Sequence, residues 1–325
     1  MEHVFLKFGE TGDHVLAGKC KWCSGDMEVF LPYARLSLCR SHFRNYVVRR
    51  VKRTIERYGM INSGERVLVA LSGGKDSLVL LHILSTLRDS DDPKFSLKCE
   101  VEAVTLDLGI KGYSERCIAV ARAHCEKLGV PHHTIKAAEL AGFTMDDVAS
   151  RRGRPTCSVC GVVKRYVLNK VGVEMGFDRL ATGHNLDDEA AVLLSNYLSA
   201  NVELLSRQSP VLPAREGMIS RIKPLFEVSE RETAMYAQFQ GLAPVDGKCP
   251  YAIAPSTLKF KMVLNMLEEE VPTMKISMVR GFLEKVKPLL KKGETGPLRR
   301  CVACGYPSSS EVCSFCRLKK IYGPM

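Results

Sequence analysis

The amino-acid sequence predicts an α/β fold, a doubly wound parallel sheet with a small zinc-binding module at each terminus. In the middle of the chain, short apolar and β-branched runs alternate with segments of helical periodicity. This alternation is typical of parallel strands joined by right-handed helical crossovers. A glycine-rich turn joins the first strand of the series to the helix that follows, and pairs of cysteines lie near both ends of the chain.

The hydrophobic pattern predicts the elements in order. Strands are expected at 66–71, 101–108, 131–135 and 179–181. Helices are expected at 44–58, 78–87, 113–128, 162–175, 186–199, 229–240, 257–270 and 274–290. The predicted domains are an N-terminal zinc module with a basic helix (1–58), a catalytic domain (59–292) and a C-terminal zinc ribbon (293–325).

The composition is that of a globular protein. The chain has 325 residues, of which 46% are hydrophobic and 26% charged. No apolar run approaches the roughly 18–20 residues that a membrane span needs. The first residues carry acids and have no apolar stretch of the secretory type. We therefore expect a cytoplasmic protein with no membrane partner.

The net charge of +11 is concentrated in two segments. The first comprises Arg40, Arg44, Arg49, Arg50, Lys52, Arg53 and Arg57. The second comprises Lys285, Lys287, Lys291, Lys292, Arg299, Arg300, Arg317, Lys319 and Lys320. Clustered positive charge is typical of proteins that bind a polyphosphate partner, although a solvated helix face gives the same pattern.

Eight of the residues near the termini have the spacing of metal ligands. The N-terminal set is Cys20, Cys23, Cys39 and His42, and the C-terminal set is Cys301, Cys304, Cys313 and Cys316. Two pairs of thiolate or imidazole ligands on either side of a short loop suit a closed tetrahedral zinc site. Such short segments have too few apolar residues to fold on their own, which also favours metal. We therefore predict two structural zinc ions.

A third cysteine group has only three members, Cys157, Cys160 and Cys249. A closed zinc site or a fully thiolate-ligated cluster needs four ligands, so three thiolates would leave one metal position open. A redox-active Cys-x-x-Cys pair, with Cys249 unrelated, fits the spacing equally well. The remaining cysteines, Cys99, Cys117 and Cys125, are expected to be small buried hydrophobes.

The turn Ser72, Gly73, Gly74, Lys75, Asp76, Ser77 lies between a predicted strand and a predicted helix. Its glycines allow the backbone to approach a ligand closely. The free N–H groups and the dipole at the start of the helix attract phosphate. The turn is not a Walker A loop, because Asp76 stands where a serine or threonine would follow the lysine.

Further polar residues follow the other strands. In an open α/β sheet, ligands bind at the carboxyl ends of the strands, where Asp107 and the Gly183–His184 turn are expected to converge. Asp187 and Asp188 offer the oxygen ligands that Mg²⁺ prefers.

The sequence resembles a known family at this point. SGGKDS is similar to the PP-loop of ATP pyrophosphatases of the adenine nucleotide alpha hydrolase-like fold, which release AMP after adenylating a substrate. The segments LDLGIKGYSE, CSVCGVVKRY, ATGHNLDDEA and CPYA, with zinc-type sites at both ends, resemble the tRNA 2-thiouridine synthetases of the TtuA type. The resemblance extends from Cys20 to Cys316.

The resemblance implies a set of site residues. Those that match the family's ATP pocket are Ala70, Leu71, Ser72, Gly73, Gly74, Lys75, Asp76, Ser77, Asp107, Gly109, Lys164, Gly183, His184 and Asp188. Lys75 and Asp76 are also expected to act in catalysis. Cys157, Cys160 and Cys249 match the three ligands of the family's [4Fe–4S] cluster. The family's partners would be tRNA, a thiocarboxylated ubiquitin-like sulfur carrier and a second copy of the chain.

The implied reaction is ATP-dependent 2-thiolation of a tRNA uridine, with release of AMP and pyrophosphate. The wording of the motifs favours the T-loop uridine at position 54. Three alternatives remain open: 2-thiolation of the wobble uridine at position 34, sulfur transfer through a persulfide on Cys157 or Cys160 without iron, and a non-catalytic tRNA-binding module. A PP-loop amidating enzyme is disfavoured, because no glutaminase segment is evident and the zinc modules would be unexplained.

Overall fold

The computed structural model describes residues 18–151, 153–252, 256–290 and 299–323. The chain divides into two units, of which one ends at Tyr46 and the other begins at Val47. The predicted boundary at residue 293 lies outside the described residues. Among the described residues, no helix is both long enough and apolar enough to cross a bilayer.

The first unit contains a short antiparallel hairpin. Strand β1 (Val29–Leu31) pairs with β2 (Leu36–Leu38) across a 3₁₀ turn at Pro32–Ala34. Helix α1 (Arg40–Arg57) begins in this unit and runs on into the second. Its apolar residues recur every three or four positions, as expected for one buried helix face. These residues are Phe43, Val47, Val48, Val51 and Ile55.

The second unit contains the remaining elements. Its strands are β3 (Arg66–Ala70), β4 (Glu100–Asp107), β5 (His132–Lys136), β6 (Arg179–Ala181), β7 (Val211–Leu212), β8 (Ser220–Ile222), β9 (Arg299–Arg300) and β10 (Pro307–Ser308). Its α-helices are α2 (Lys75–Arg88), α3 (Ser114–Lys127), α4 (Ala137–Ala141), α5 (Met145–Ser150), α6 (Thr156–Glu174), α7 (Leu186–Leu198), α8 (Val202–Arg207), α9 (Glu230–Phe239), α10 (Ser256–Glu270), α11 (Met274–Gly281) and α12 (Ser314–Tyr322).

The central sheet has the strand order β5-β4-β3-β6-β8-β7. Every neighbouring pair is parallel except β7 and β8, which are antiparallel. β7 and β8 are joined by a short hairpin rather than by a helix, and a short connection can only produce an antiparallel pair. The prediction of an α/β fold with a parallel sheet is confirmed, with one antiparallel strand at the edge.

The centre of the sheet is covered on both faces, which explains its apolar sequence. Val67, Leu68 and Val69 of β3 are fully buried, and most of α2 is buried as well. The glycine-rich turn between these two elements is therefore held by a rigid strand and a rigid helix.

Helix α6 begins at Thr156, six residues before the predicted start at 162. Pro155 occupies the N-cap position, and proline is well tolerated at the start of a helix, where its missing N–H has no intrahelical partner. Cys157 and Cys160 consequently lie on the first turns of α6. The predicted helix at 274–290 is also different, because α11 is followed by a π-turn (Phe282–Val286) and a 3₁₀ turn (Lys287–Leu289).

The C-terminal ribbon, formed by β9, β10 and α12, packs on α6. The rings of Tyr166 and Phe315 stack with centroids 3.7 Å apart, and Tyr306 lies 4.7 Å from Tyr166. Phe315, Leu318 and Tyr322 are buried in the same cluster as residues of α6 and β6. The apolar face of α12 therefore belongs to the core of the second unit.

Candidate nucleotide and sulfur site

The turn at 72–77 is closed by its own hydroxyl groups. The backbone N–H of Ser72 donates to Ser77 Oγ at 3.1 Å, and Ser77 Oγ donates to the carbonyl of Gly74 at 2.8 Å. Ser72 Oγ lies 3.1 Å from Ser77 Oγ. Gly74 is the N-cap of α2 and has no side chain to cap it. The first N–H groups of α2 are thus available to an anion such as phosphate.

Two glycines lie where another segment of backbone comes so close to the turn that a side chain would not fit. Gly73 has a φ of +74°, and a Cβ there would lie 3.0 Å from the carbonyl oxygen of Cys117 on α3. At Gly183, which precedes α7, a Cβ would lie 3.0 Å from the backbone nitrogen of Ser77. The structure therefore brings the predicted Gly183–His184 turn against the predicted phosphate loop.

Thr233 on α9 connects the two charged residues of the loop and was missed in the sequence. Lys75 Nζ lies 2.7 Å from both Asp76 Oδ1 and Thr233 Oγ1. The Thr233 hydroxyl also lies 2.5 Å from Asp76 Oδ1 and is buried. Because α9 lies far along the chain, only a contact through space reveals the role of Thr233, and no local motif marks it.

Asp107 and Gly109 lie at the carboxyl end of β4. Asp107 Oδ1 accepts a hydrogen bond of 2.9 Å from the N–H of Gly109. Gly109 has a φ of +64°, and a Cβ there would lie 2.5 Å from Thr144 Cγ2. Ala70 is the last residue of β3 and Leu71 follows it. The N–H of Leu71 donates to the carbonyl of Val104 on β4 at 2.8 Å. These predicted residues share the carboxyl edge of the sheet with the loop.

Asp187 is committed to a buried ion pair. Its Oδ1 lies 2.5 Å from Lys275 Nζ, and its Oδ2 accepts a 2.6 Å hydrogen bond from the N–H of Glu230. Both side chains of the pair are buried. The partner of Asp187 lies 88 residues away in sequence, so the ion pair could not be anticipated from the motif. A magnesium ion at Asp187 would have to displace this lysine.

We expect Lys275→Met to lower the free energy of unfolding by about 3–5 kcal/mol, because the charge of Asp187 would remain buried without its partner. Urea unfolding measures the change. The additional substitution Asp187→Asn removes that charge and should restore part of the loss. Lys259→Met is the control, because Lys259 is exposed on α10 and its removal should change stability by less than about 0.5 kcal/mol. Equal stabilities for both single variants would contradict the prediction.

Asp188 is held by a different lysine. Its Oδ1 lies 2.6 Å from Lys261 Nζ, which also lies 2.8 Å from Glu230 Oε2. Its Oδ2 accepts from the N–H of Asn185 in the capping box that begins α7. Burial lowers the pKa of the neighbouring His184, and the charge of Lys223 lowers it further. His184 Nδ1 lies 2.9 Å from the Thr182 hydroxyl.

The three central cysteines lie near one another. Cys157 Sγ donates to the carbonyl of Tyr251 at 3.0 Å, two residues after Cys249. Burial raises the pKa of Cys160, Lys164 lowers it, and the charges of Cys249 and Cys157 raise it. Cys160, Cys249 and Tyr251 pack against one apolar cluster, and the hydrogen bond from Cys157 to Tyr251 brings the third cysteine into the same region. Three thiolates could hold a [4Fe–4S] cluster with one iron position left open.

The segment that leads to Cys249 contacts the phosphate loop. The N–H of Val245, in the segment that leads to Cys249, donates to the carbonyl of Gly73 at 2.9 Å. Cys117, whose backbone packs against Gly73, has its pKa raised by burial, with Lys164 lowering it and Cys249 raising it. Cys117 was predicted to be a buried residue, and it is buried. The phosphate loop is thus in contact with α3 and with the segment that leads to Cys249.

The structure brings together the four predicted metal ligands near each terminus. In each set the four ligand atoms lie within 4.8 Å of one another. Cys23 and Cys39 have their sulfurs 3.8 Å apart, and so do Cys304 and Cys313. A tetrahedron with Zn–S bonds of about 2.3 Å has edges of about 3.8 Å. These sets could bind metal, and their geometry suits zinc.

The cations of α1 are partly engaged by acids. Arg50 pairs with Glu232, Arg57 with Glu227, and Lys52 with Glu56. Arg44, Arg49 and Arg53 are exposed. About half of the basic helix predicted to face nucleic acid is therefore used in ion pairs of the protein itself.

The sequence is similar to a known protein family and to characterised relatives. A family model described as a PP-loop domain matches residues 44–248. The chain is 43% identical, over 302 residues, to the tRNA-5-methyluridine(54) 2-sulfurtransferase of Pyrococcus horikoshii, with 92% of this chain and 93% of that protein covered. It is 42% identical, over 299 residues, to the protein of the same name from Thermus thermophilus, with 92% and 90% covered.

Among solved structures, the chain is similar to the U34-tRNA thiolase NcsA from Methanococcus maripaludis with its [4Fe–4S] cluster. The TM-score is 0.79 at 29% sequence identity, and the match covers 94% of this chain and 97% of that chain.

Proposed function

The chain belongs to the PP-loop family of tRNA 2-sulfurtransferases, and we propose that it replaces the C2 oxygen of uridine or 5-methyluridine at tRNA position 54 with sulfur. The resemblance drawn from the motifs is confirmed by these relatives. The observation that carries the proposal is the hydrogen bond between Gly73 of the phosphate loop and Val245, in the segment that leads to Cys249.

The first step uses the phosphate loop. The C2 oxygen of uridine is a poor leaving group and must first be activated. It attacks the α-phosphorus of ATP, a bond between oxygen and phosphorus forms, and pyrophosphate departs. The N–H groups at the start of α2 and the Lys75 ammonium stabilise the charge that develops on the phosphates. Lys164, Gly183, His184 and Asp188 complete the proposed ATP pocket. Thr233 joins Lys75 to Asp76 and fixes both side chains.

In the second step, sulfide attacks C2, the C2–O bond breaks and AMP leaves. We propose that Cys157, Cys160 and Cys249 hold a [4Fe–4S] cluster, which would supply an open iron position for the incoming sulfide. Holding the nucleophile beside C2 removes much of the entropic cost of the reaction. In this proposal the three thiols face the nucleotide loop, where the adenylated uridine would form.

Position 54 is favoured over position 34 by two relatives named for the 54 reaction at 42–43% identity, compared with 29% for the solved U34 thiolase. Anaerobic reaction of the purified protein with ATP, Mg²⁺, sulfide and unmodified tRNA tests the proposal. Nucleoside mass spectrometry of isolated T-loop fragments should show 2-thiolation. Sulfur found only in the anticodon fragment would support the wobble reaction.

The remaining cofactors and partners are also proposed. Zinc fits the two terminal ligand sets, while Mg²⁺ would bind with ATP near Asp188, and Asp187 remains a weaker candidate because of its lysine partner. The family resemblance supports a thiocarboxylated ubiquitin-like carrier as the sulfur source and a cytoplasmic location.

We propose that the chain forms a homodimer through an apolar face of α10. The exposed apolar residues are Leu258, Met262, Val263, Met266 and Leu267 of α10, with Val271 directly after the helix. Exposed apolar patches of this kind mark protein interaction sites.

We expect Met262→Glu combined with Met266→Glu to convert the dimer to a monomer, because charges cannot be buried in an apolar interface. These side chains are 60% and 67% exposed, so the monomer should fold normally. Sedimentation equilibrium measures the mass. Val173→Glu, at an exposed apolar position on α6, is the control and should leave the dimer intact. If the double variant were still a dimer, this face of α10 would not be the dimer interface.

A further inference from the structure

Arg221 on β8 differs from the other half-buried arginines. Arginines that are neither exposed nor fully buried in the described part of the chain are Arg50, Arg66, Arg88, Arg179, Arg221 and Arg280. All of these except Arg221 form an ion pair with a carboxylate within 4 Å. The charge of Arg221 has no such partner among the described residues. A partly desolvated cation without an anion is unfavourable.

The groups beside Arg221 are another cation and a phenol. Its Nη2 donates to the backbone carbonyl of Arg165 on α6 at 3.5 Å. Burial lowers the pKa of Arg221 and the charge of Arg165 lowers it further, while Tyr306 raises it. The two guanidinium groups thus repel each other, and no carboxylate in the described part of the chain forms an ion pair with either of them. An anion would relieve both effects.

Arg165 places this charge on the part of α6 that follows Cys160. Its guanidinium lies over Gly161, where a Cβ would be 3.3 Å from Nη1. Gly161 directly follows Cys160, and Lys164 is exposed on the same turn of α6. A guanidinium offers paired N–H donors that match two oxygens of a phosphate.

We propose that Arg165 and Arg221, with the Tyr306 hydroxyl, bind a backbone phosphate of tRNA close to the nucleotide that is modified. This rests on the proposed function, in which tRNA lies beside Cys160. The ATP phosphates are placed at the start of α2, so the arginine pair is assigned to the RNA. The site joins α6, β8 and the ribbon, and it anchors the substrate next to the sulfur-bearing end of α6.

The test measures tRNA binding by the full-length protein with its metals, using fluorescence anisotropy at several potassium chloride concentrations. The variants are Arg221→Met and Arg165→Met. The control is Arg207→Met, because Arg207 is an exposed arginine on α8 that pairs with Glu203. We expect Arg221→Met to weaken tRNA binding roughly 5–10-fold and to reduce the slope of log affinity against log salt by about 0.7–0.9, as for one lost phosphate contact.

Two further readouts separate this role from a structural one. The melting temperature of Arg221→Met without RNA should equal or exceed that of the wild type, since an unpaired cation has been removed. Its affinity for ATP should stay within twofold. Arg221→Lys keeps the charge but loses the paired donors, so an intermediate tRNA affinity is expected, and this variant serves if Arg221→Met does not fold.

Several outcomes would overturn the inference. In one, Arg221→Met and Arg165→Met have the same slope of log tRNA affinity against log salt as Arg207→Met. Another is a lowered melting temperature with unchanged tRNA affinity, which would make Arg221 structural. A third is loss of stabilisation by inorganic phosphate, or of ATP affinity, with tRNA binding intact, which would assign the pair to a small anion. If the wild-type protein itself neither binds nor thiolates tRNA, it is the proposed function that fails.

Discussion

Cys249→Ala is expected to lower tRNA thiolation by at least ~100-fold, because a sulfide that is no longer held next to C2 loses the advantage of proximity. The variant should still bind ATP, since the phosphate loop contacts this segment through the backbone of Val245 and not through the thiol. Single-turnover thiolation under anaerobic conditions and equilibrium ATP binding measure the two properties. Iron and acid-labile sulfide should fall together with thiolation.

The matched control is Cys99→Ala. Cys99 precedes the amino end of β4, at the opposite edge of the sheet from the site, and burial raises its pKa to about 11. A neutral buried thiol contributes only packing, so this variant should thiolate normally. If Cys249→Ala thiolated tRNA like Cys99→Ala, the cluster assignment would be wrong. If the wild type thiolated tRNA without iron, the cluster would not be required for sulfur transfer.

Gly73→Ala is expected to lower ATP-dependent adenylation by roughly 100-fold, because displacement of a reacting group by about 1 Å has an effect of this size. Alanine at this position meets two obstacles. The φ of +74° is unfavourable for any residue with a Cβ. The new methyl group would also lie 3.0–3.1 Å from backbone atoms of Cys117, which a helix holds in place. The loop must therefore shift away from α3.

Gly64→Ala separates the two obstacles. Gly64 has a φ of +84°, but a Cβ there has no neighbouring atom within 4 Å. This variant should lose about 1–2 kcal/mol of stability from its backbone conformation alone and keep normal turnover. Release of pyrophosphate in the presence of tRNA measures the catalytic effect. Turnover by Gly73→Ala at the level of Gly64→Ala would show that the close approach to Cys117 is not required.

Local pattern was sufficient where a structure is built from neighbouring residues. The strand at 179–181 was predicted with its observed limits, and the segment 72–77 follows β3 as predicted, with its last three residues forming the start of α2. The start of α6 was predicted six residues late, because the segment before residue 162 lacks a clear apolar stripe. Its start at Thr156 follows from Pro155, whose ring suits a helix start but does not require one.

The sequence by itself determined the sheet, the phosphate loop and the two ligand sets, since each depends on residue types at short, fixed spacings. Only the tertiary structure decided which charges remain available. It paired Asp187 with Lys275 and Asp188 with Lys261, joined Thr233 to the loop lysine, and left Arg221 without a carboxylate among the described residues. The physical reason is that an ion pair forms between side chains that packing brings together, and packing joins segments that may lie far apart along the chain.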